Sequence, residues 1–379
     1  MFGRAAIFGS FLVAFVGTWA SAQAAPGAAD ESSRAIPNYD HIFVVIAENK
    51  SFSHIMDHPD LTPNLHRLAN EYGLATQFYA EVHSSEGNYV AMVGGDTFGI
   101  HDDDAFYCKP GLVDEFCPAS RANGYVEHSL REPSLPDQLA AHGLSWKGYF
   151  ENLPAPGSLM PRWPTNMYPA KGQPNSLYAA KHNGFVNFAT VHDAPYAERK
   201  EYFVNFQQLD ADLASGRVPN YAHIVPNQCN DMHGLGRGDG ADVPEDCHGG
   251  DAIVRRGDAE IGMLVDKITR SKIWSDKGNV AIVVTFDEND KAGRSDESQG
   301  CCGYDPHSLA NFGGGRIPTI VITNHGPRHV TDATPYNHYS LLRTTEAAFG
   351  IKTYLGHAAD SDKGVVVMAP LFSVQEQKN

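Results

Sequence analysis

Basic residues are scarce in this sequence: 29 lysines and arginines stand against 45 aspartates and glutamates, a formal net charge of −16 at pH 7. Such a surface repels nucleic acid and anionic lipid headgroups at long range, so the chain carries no electrostatic footprint for DNA or RNA. A small anionic substrate stays open, because a bound cation overrides the global field locally. Long apolar runs are missing too. Past the N-terminus no window holds about 20 uninterrupted apolar residues, so a soluble mature protein without a transmembrane segment is expected. No low-complexity linker, charge block or internal repeat divides the chain, which predicts a single domain over residues 25–379. Cysteine is sparse, with six in 379 residues, and none stands in the C-x-x-C spacing that marks a zinc–thiolate site.

What is present begins with Arg4, an apolar run from Ala5 to Trp19, and Ala20-Ser21-Ala22-Gln23-Ala24-Ala25. This is the layout of a secretory signal peptide over residues 1–24, and it predicts export to the periplasm or the exterior. An even cysteine count in an exported chain reads as disulfides. Cys108 with Cys117 and Cys229 with Cys247 would each close a short loop. The adjacent Cys301 and Cys302 would pair with each other only under strain, or else with other partners.

Three continuous β-branched runs, Ile42–Ile46, Val280–Val284 and Thr319–Ile322, read as strands buried on both faces, and Trp146–Phe150 and Tyr221–Val225 are weaker candidates. Helices are predicted between them: from Thr62 to Gly73, Ser134 to His142, Asp251 to Ile273 and Ser340 to Phe349. Strands alternating with helices give an α/β class with a mostly parallel central sheet flanked by helices. The polar, Gly/Pro-rich stretches 98–133, 151–180 and 226–250 read as loops over one edge.

Ligands of open α/β sheets bind beyond the carboxyl ends of the strands. The residues after Ile46 are Ala47-Glu48-Asn49; after Val284 they include Asp287 and Glu288; after Val225 they include Asn227, Asn230, Asp231 and His233. Hard oxygen ligands with a nearby histidine suit a divalent cation: calcium, magnesium, manganese or zinc. Ser85, in His83-Ser84-Ser85-Glu86-Gly87-Asn88-Tyr89, stands just ahead of a helix-like run, where a hydroxyl, backbone N–H groups and the positive dipole end cradle a phosphate.

These segments resemble the bacterial phosphoesterase family, which holds secreted acid phosphatases and nonspecific phospholipases C and belongs to the alkaline phosphatase superfamily. Phe43 to Phe52 resembles its opening E-N-[KR]-S-F strand motif, and His83 to Tyr89 its H-x-S-x-P-N-Y nucleophile segment. Val225 to His233 is similar to its P-N-x-x-N-D-M-H loop, Thr285 to Glu288 to its metal-binding D-E segment, and Tyr336 to Arg343 to its D-H-x-S-L-L segment. Gly87 stands where proline is usual, Asn337 where an acid is usual, and Asn289-Asp290 where glycines are common. The first departure implies a looser turn. The resemblance implies an alkaline-phosphatase-like fold in which Glu48, Asn49, Asp287 and Glu288 hold a divalent cation with Ser85 as a further ligand. Ser85 would be the nucleophile of a phosphoserine mechanism. Asn49, Asn88, Asp231, His233 and His338 would bind the substrate oxygens, with a histidine protonating the leaving group. The expected activity is a metal-dependent phosphomonoesterase acting on small phosphorylated metabolites or a phosphoinositide headgroup. The alternatives are a phospholipase C and a catalytically silent secreted binding protein.

Overall fold

The three β-branched runs expected to be strands are strands because each is buried on both faces, and the weaker candidates Trp146–Phe150 and Tyr221–Val225 join the same sheet. The computed structural model describes Met1 and residues 36–164, 176–235, 243–290, 299–308 and 311–374; the expected signal peptide beyond Met1 lies outside the described residues. Residues 35–379 cluster as one unit. In chain order the strands are β1 (His41–Ala47), β2 (Gly73–Ala80), β3 (Trp146–Phe150), β4 (Arg162–Trp163), β5 (Tyr178–Ala179), β6 (Phe203–Val204), β7 (Tyr221–Val225), β8 (Val280–Phe286), β9 (Gly315–Thr323), β10 (Val330–Asp332) and β11 (Tyr336–Asn337).

Nine of them form one sheet in the order β10-β2-β9-β8-β1-β7-β3-β6, with β11 also on β2, while β4 and β5 pair separately. All pairs in the large sheet are parallel except β9 with its neighbours β2 and β8. Residues Ile42 to Ala47 of β1 and all of β8 are buried. Each fully buried aliphatic or aromatic side chain in this layer contributes about 1.5–3 kcal/mol.

The predicted helices appear at Pro63–Glu71, Leu135–Ala141, Gly250–Thr269 and His338–Ala348. Thr62 does not cap the first of these; its hydroxyl donates to the Ile55 carbonyl instead. Ser134 and Asp137 form a capping box on the second. All six cysteines are paired, as Cys108–Cys117, Cys229–Cys247 and Cys301–Cys302. Among the described residues no helix is long and apolar enough to cross a membrane.

Register decides what meets at the carboxyl edge. In the β1–β8 pair Ile46 faces Thr285 and Ala47 faces Phe286, so the next residues, Glu48 and Asp287, leave the sheet side by side. On the other flank Val45 faces Ile224 of β7, which delivers the 226–233 loop to the same place.

Candidate active site

The turn after β1 starts with Glu48, fully buried, then Asn49 in the left-handed region at φ 51°. Asparagine tolerates that conformation better than most residues. The turn is pinned on both sides: the Asn49 main-chain N–H donates to Asp287 Oδ1 at 2.9 Å, and the Glu48 N–H donates to the Asp231 carbonyl at 2.7 Å. The Lys50 ammonium, also buried, donates to the carbonyls of Asn49 and Met232, both at 2.9 Å.

Ser85 opens a ten-residue helix, Ser85–Gly94, every residue of which is buried. Its hydroxyl lies 3.3 Å from Glu48 Oε2 and 3.5 Å from Glu288 Oε1. Tyr89, one helical turn on, donates its phenol to Glu48 Oε1 at 2.5 Å. Gly87 does not loosen the turn as expected. A Cβ there would clash with the Ile100 carbonyl oxygen and with Val82 Cγ2, so its missing side chain lets the 100 segment press onto the helix that Ser85 opens.

Asn88 is turned away from the carboxylates. Its side-chain oxygen accepts from the N–H groups of Glu81 and Val82, and its amide donates to the Val82 carbonyl. Its hydrogen-bonding capacity is spent on holding the strand-to-helix loop that presents Ser85, which corrects the expectation of a substrate contact. His338 departs likewise. Its Nε2 donates to the Phe286 carbonyl at 3.0 Å and its main-chain N–H to buried Glu81 at 3.1 Å, so it fastens the end of β8 to the loop before Ser85. Asn337, in place of an acid, caps that helix by accepting from the Ser340 N–H while its amide faces Glu81. An aspartate here would set two buried carboxylates against each other.

The expected Glu48, Asn49, Ser85, Asp287 and Glu288 do converge. Asp231 and His233 join them: Asp231 accepts from the His233 N–H at 2.7 Å, and His233 Nδ1 donates to the Gly234 carbonyl, leaving Nε2 as a lone pair. Four residues that the sequence reading did not single out complete the site. His182 lies 3.4 Å from Glu48 and 3.5 Å from Asp231 and stacks on Tyr89. His83 Nδ1 is 2.5 Å from Glu288 Oε2. Lys181 Nζ sits 3.0 Å from Asp103 Oδ2 and 3.5 Å from His233 Nε2. Tyr89 was readable from its position four residues after Ser85 on one helix face. Lys181 and His182 lie on a three-residue 3-10 helix, Ala180–His182, whose place in the site no sequence pattern gives.

Electrostatically the site has too much negative charge. Glu48 and Glu288 are pushed well above the usual carboxylate range by burial and then by Asp287. Asp231 is raised well by burial, with Asp287 adding to it, and Asp287 is raised by burial. Among the described residues, Asp287 Oδ2 and Asp231 Oδ2 are buried without a hydrogen-bond partner. The histidines do not relieve this. Burial, then the Lys181 charge, holds His182 well below the usual imidazole range and His233 down at about 3. Glu48, His182 and His233 also place one donor atom each within 4.8 Å of one another. Crowded acids with orphaned oxygens beside neutral imidazoles fit a divalent cation.

Behind Ser85, His128 is clamped between Glu86 at 2.7 Å and Asp102 at 3.1 Å, and Asn187 donates to the same Glu86 oxygen at 2.5 Å. Burial opposes the charged imidazole, but the two carboxylates win and lift it to about 10. A raised folded pKa contributes stability that is fully present below the unfolded value of about 6.5 and is lost as pH rises through the folded one. Melting temperature is therefore expected to decline between about pH 7 and 10, and His128→Gln to flatten that decline. Melting curves across this range check both.

Residues 58–352 match the phosphoesterase family; the match starts after Glu48 and Asn49. A phosphatidylinositol-3-phosphatase of Mycobacterium tuberculosis is 26% identical over 346 residues, covering 91% of this chain and 88% of that protein. An acid phosphatase of Aspergillus fumigatus is 27% identical over 288 residues, 76% of this chain and 51% of that one. The chain spans 51% to 61% of the length of the fungal acid phosphatases it matches. A solved protein of the alkaline phosphatase superfamily from Vibrio parahaemolyticus superposes with a TM-score of 0.51 at 12% identity, over 85% of this chain and 69% of that one, a likeness of fold.

Proposed function

Because the chain belongs to the phosphoesterase family and is a phosphoric-ester hydrolase of alkaline-phosphatase-like fold, we propose that it is an exported, metal-dependent phosphomonoesterase working through a phosphoserine at Ser85. The observation that carries this is the Ser85 hydroxyl, at a helix N-terminus and 3.3 and 3.5 Å from two buried carboxylates. Three disulfides support an oxidising compartment.

Glu48, Asn49, Asp287, Glu288 and Ser85 would hold the cation. When bound, it supplies Lewis acidity that favours the serine alkoxide and neutralises phosphoryl charge. The rest falls to the chain itself. Ser85 Oγ gives up its proton toward Glu48 or Glu288 and bonds to phosphorus in line, and the ester P–O bond breaks. The departing alkoxide takes up the proton that Ser85 passed to the carboxylate and leaves as the alcohol. A water then attacks phosphorus from the opposite side, the Oγ–P bond breaks, and serine and inorganic phosphate are regenerated. Lys181, paired with Asp103 and 3.5 Å from the Nε2 lone pair of His233, binds the non-bridging oxygens, while Asn88 and His338 keep the nucleophile and β8 in place. Asp231 holds the His233 loop and so acts on the substrate through it.

A monoester carries more negative charge than a diester, and a buried lysine beside the site favours it. Hydrolysis of p-nitrophenyl phosphate is expected to exceed that of p-nitrophenyl phosphorylcholine; the reverse order would move the assignment to a phospholipase C. Lys181→Met is expected to lower kcat/KM on the monoester by about 10²-fold and to weaken competitive inhibition by inorganic phosphate. Unchanged phosphate inhibition would remove Lys181 from the phosphate pocket.

A further inference from the structure

One cavity next to the site is left unused by this chemistry. It measures about 170 Å³ and is lined by Ser51, Phe52, Ser53, Asn289, Gln299 and Arg316. Its walls continue from the candidate ligands. Ser51 and Phe52 follow Asn49 by two and three residues, and Asn289 directly follows Glu288, whose Oε1 is 3.5 Å from the Ser85 hydroxyl. Arg316 reaches this edge because β9 runs antiparallel to β8, so the start of β9 lies beside the end of β8. The approach is tight: a Cβ on Gly315 would fall 2.0 Å from the Asn289 side-chain nitrogen, and the Asn289 N–H donates to the Gly314 carbonyl at 2.9 Å.

The arginine is the cavity's charged wall, and it is fixed. Its Nε donates to the Thr76 carbonyl at 2.7 Å and its guanidinium carbon lies 3.9 Å from the centre of the Phe52 ring. Those contacts use one of five N–H donors, and among the described residues no carboxylate pairs with Arg316. Asp290, which follows Asn289, is taken up by His54 at 2.7 Å. A rigid guanidinium with donors to spare, on a polar wall a few residues from the reaction centre, suits a carboxylate or phosphate that accepts two N–H bonds at once.

We propose that this cavity is a leaving-group subsite in which Arg316 binds a second anionic group carried by the substrate's alcohol. The substrate class is then a phosphomonoester whose alcohol carries a second phosphate, either free in solution or as a lipid headgroup. The inference rests on the phosphomonoesterase reading above and adds the identity of the alcohol.

The test compares inositol 3-phosphate with inositol 1,3-bisphosphate, which differ only in the second phosphate, on the intact protein. The native enzyme is expected to favour the bisphosphate in kcat/KM by about 10–100-fold, the worth of hydrogen bonds to a charged group. Arg316→Met should bring that ratio close to one, and Arg316→Lys should retain part of it. Melting curves of each variant establish that it is folded. A native ratio near one, or a ratio that Arg316→Met leaves intact, overturns the subsite. Phosphatidylinositol 3-phosphate in phosphatidylcholine vesicles distinguishes the two sources: an Arg316-dependent rate there assigns the headgroup, and a rate only on the soluble pair assigns the free bisphosphate. Turnover of p-nitrophenyl phosphate that survives Ser85→Ala would instead sink the underlying phosphatase reading, so the two failures are separable.

Discussion

Ser85→Ala is expected to lower kcat on p-nitrophenyl phosphate by at least about 10⁴-fold, as loss of a covalent nucleophile does in other enzymes. The protein should stay folded. The hydroxyl fills little volume, and the helix it begins is held independently by Tyr89 on Glu48 and by Asn88 on the preceding loop. Cation binding should persist as well, since the three buried carboxylates of the ligand set, Glu48, Asp287 and Glu288, remain. The informative measurement is therefore paired: steady-state kinetics on one sample, and manganese-induced change in melting temperature on the same sample. Lost turnover with a retained thermal response assigns Ser85 to the chemistry. A retained turnover would assign the nucleophile elsewhere.

Asp287→Asn should abolish turnover for a different reason and move stability in the opposite direction. Asp287 keeps one oxygen on the Asn49 N–H and holds the other buried without a partner. Its folded pKa is raised by burial, as are those of Glu48, Asp231 and Glu288. For an acid whose folded pKa lies above its unfolded one, stability is fully present below the unfolded pKa and falls as pH rises through the folded one. Stripped of cations, the protein is thus expected to melt progressively lower as pH rises from about 5, relative to the loaded protein. A cation at about 100 times its Kd restores about 2.7 kcal/mol. The asparagine variant removes one uncompensated buried charge, so its chelated form should melt a few degrees above the chelated native protein. The cation-induced rise should shrink or vanish. Identical melting of native and variant proteins, each with and without chelator, would show that no cation binds at these carboxylates.

The sheet was largely legible because its central strands are unmixed apolar runs, and such runs have few other destinations. β2 was not: Gly73-Leu74-Ala75-Thr76-Gln77-Phe78-Tyr79-Ala80 mixes polar and small residues, and pairing with distant strands, β9 some 240 residues away on one side and β10 and β11 on the other, makes it a strand. The antiparallel direction of β9 was equally invisible, since direction leaves no mark on composition. In the site, residues at the ends of strong strands were readable, because the strand fixes where the next side chain emerges. His182 and Lys181 were not, because they sit on a three-residue 3-10 helix whose place in the fold is set by packing. Asn88 and His338 were found by motif, but a motif says that a residue matters and not what it touches. Only the hydrogen bonds separate holding a loop from holding a substrate.

The sheet order also bears on when the enzyme comes into being. β1 lies between β7 and β8, and β2 reaches β8 only through β9, so Ser85 and Glu48 are synthesised some 200 residues before Asp287 and the strand that seats it. Contacts of such long sequence separation form slowly and late. Any N-terminal fragment ending before β8 holds Ser85, Glu48 and Asn49 but lacks Asp287 and Glu288, which makes activity a property that appears only as about the last quarter of the chain folds in.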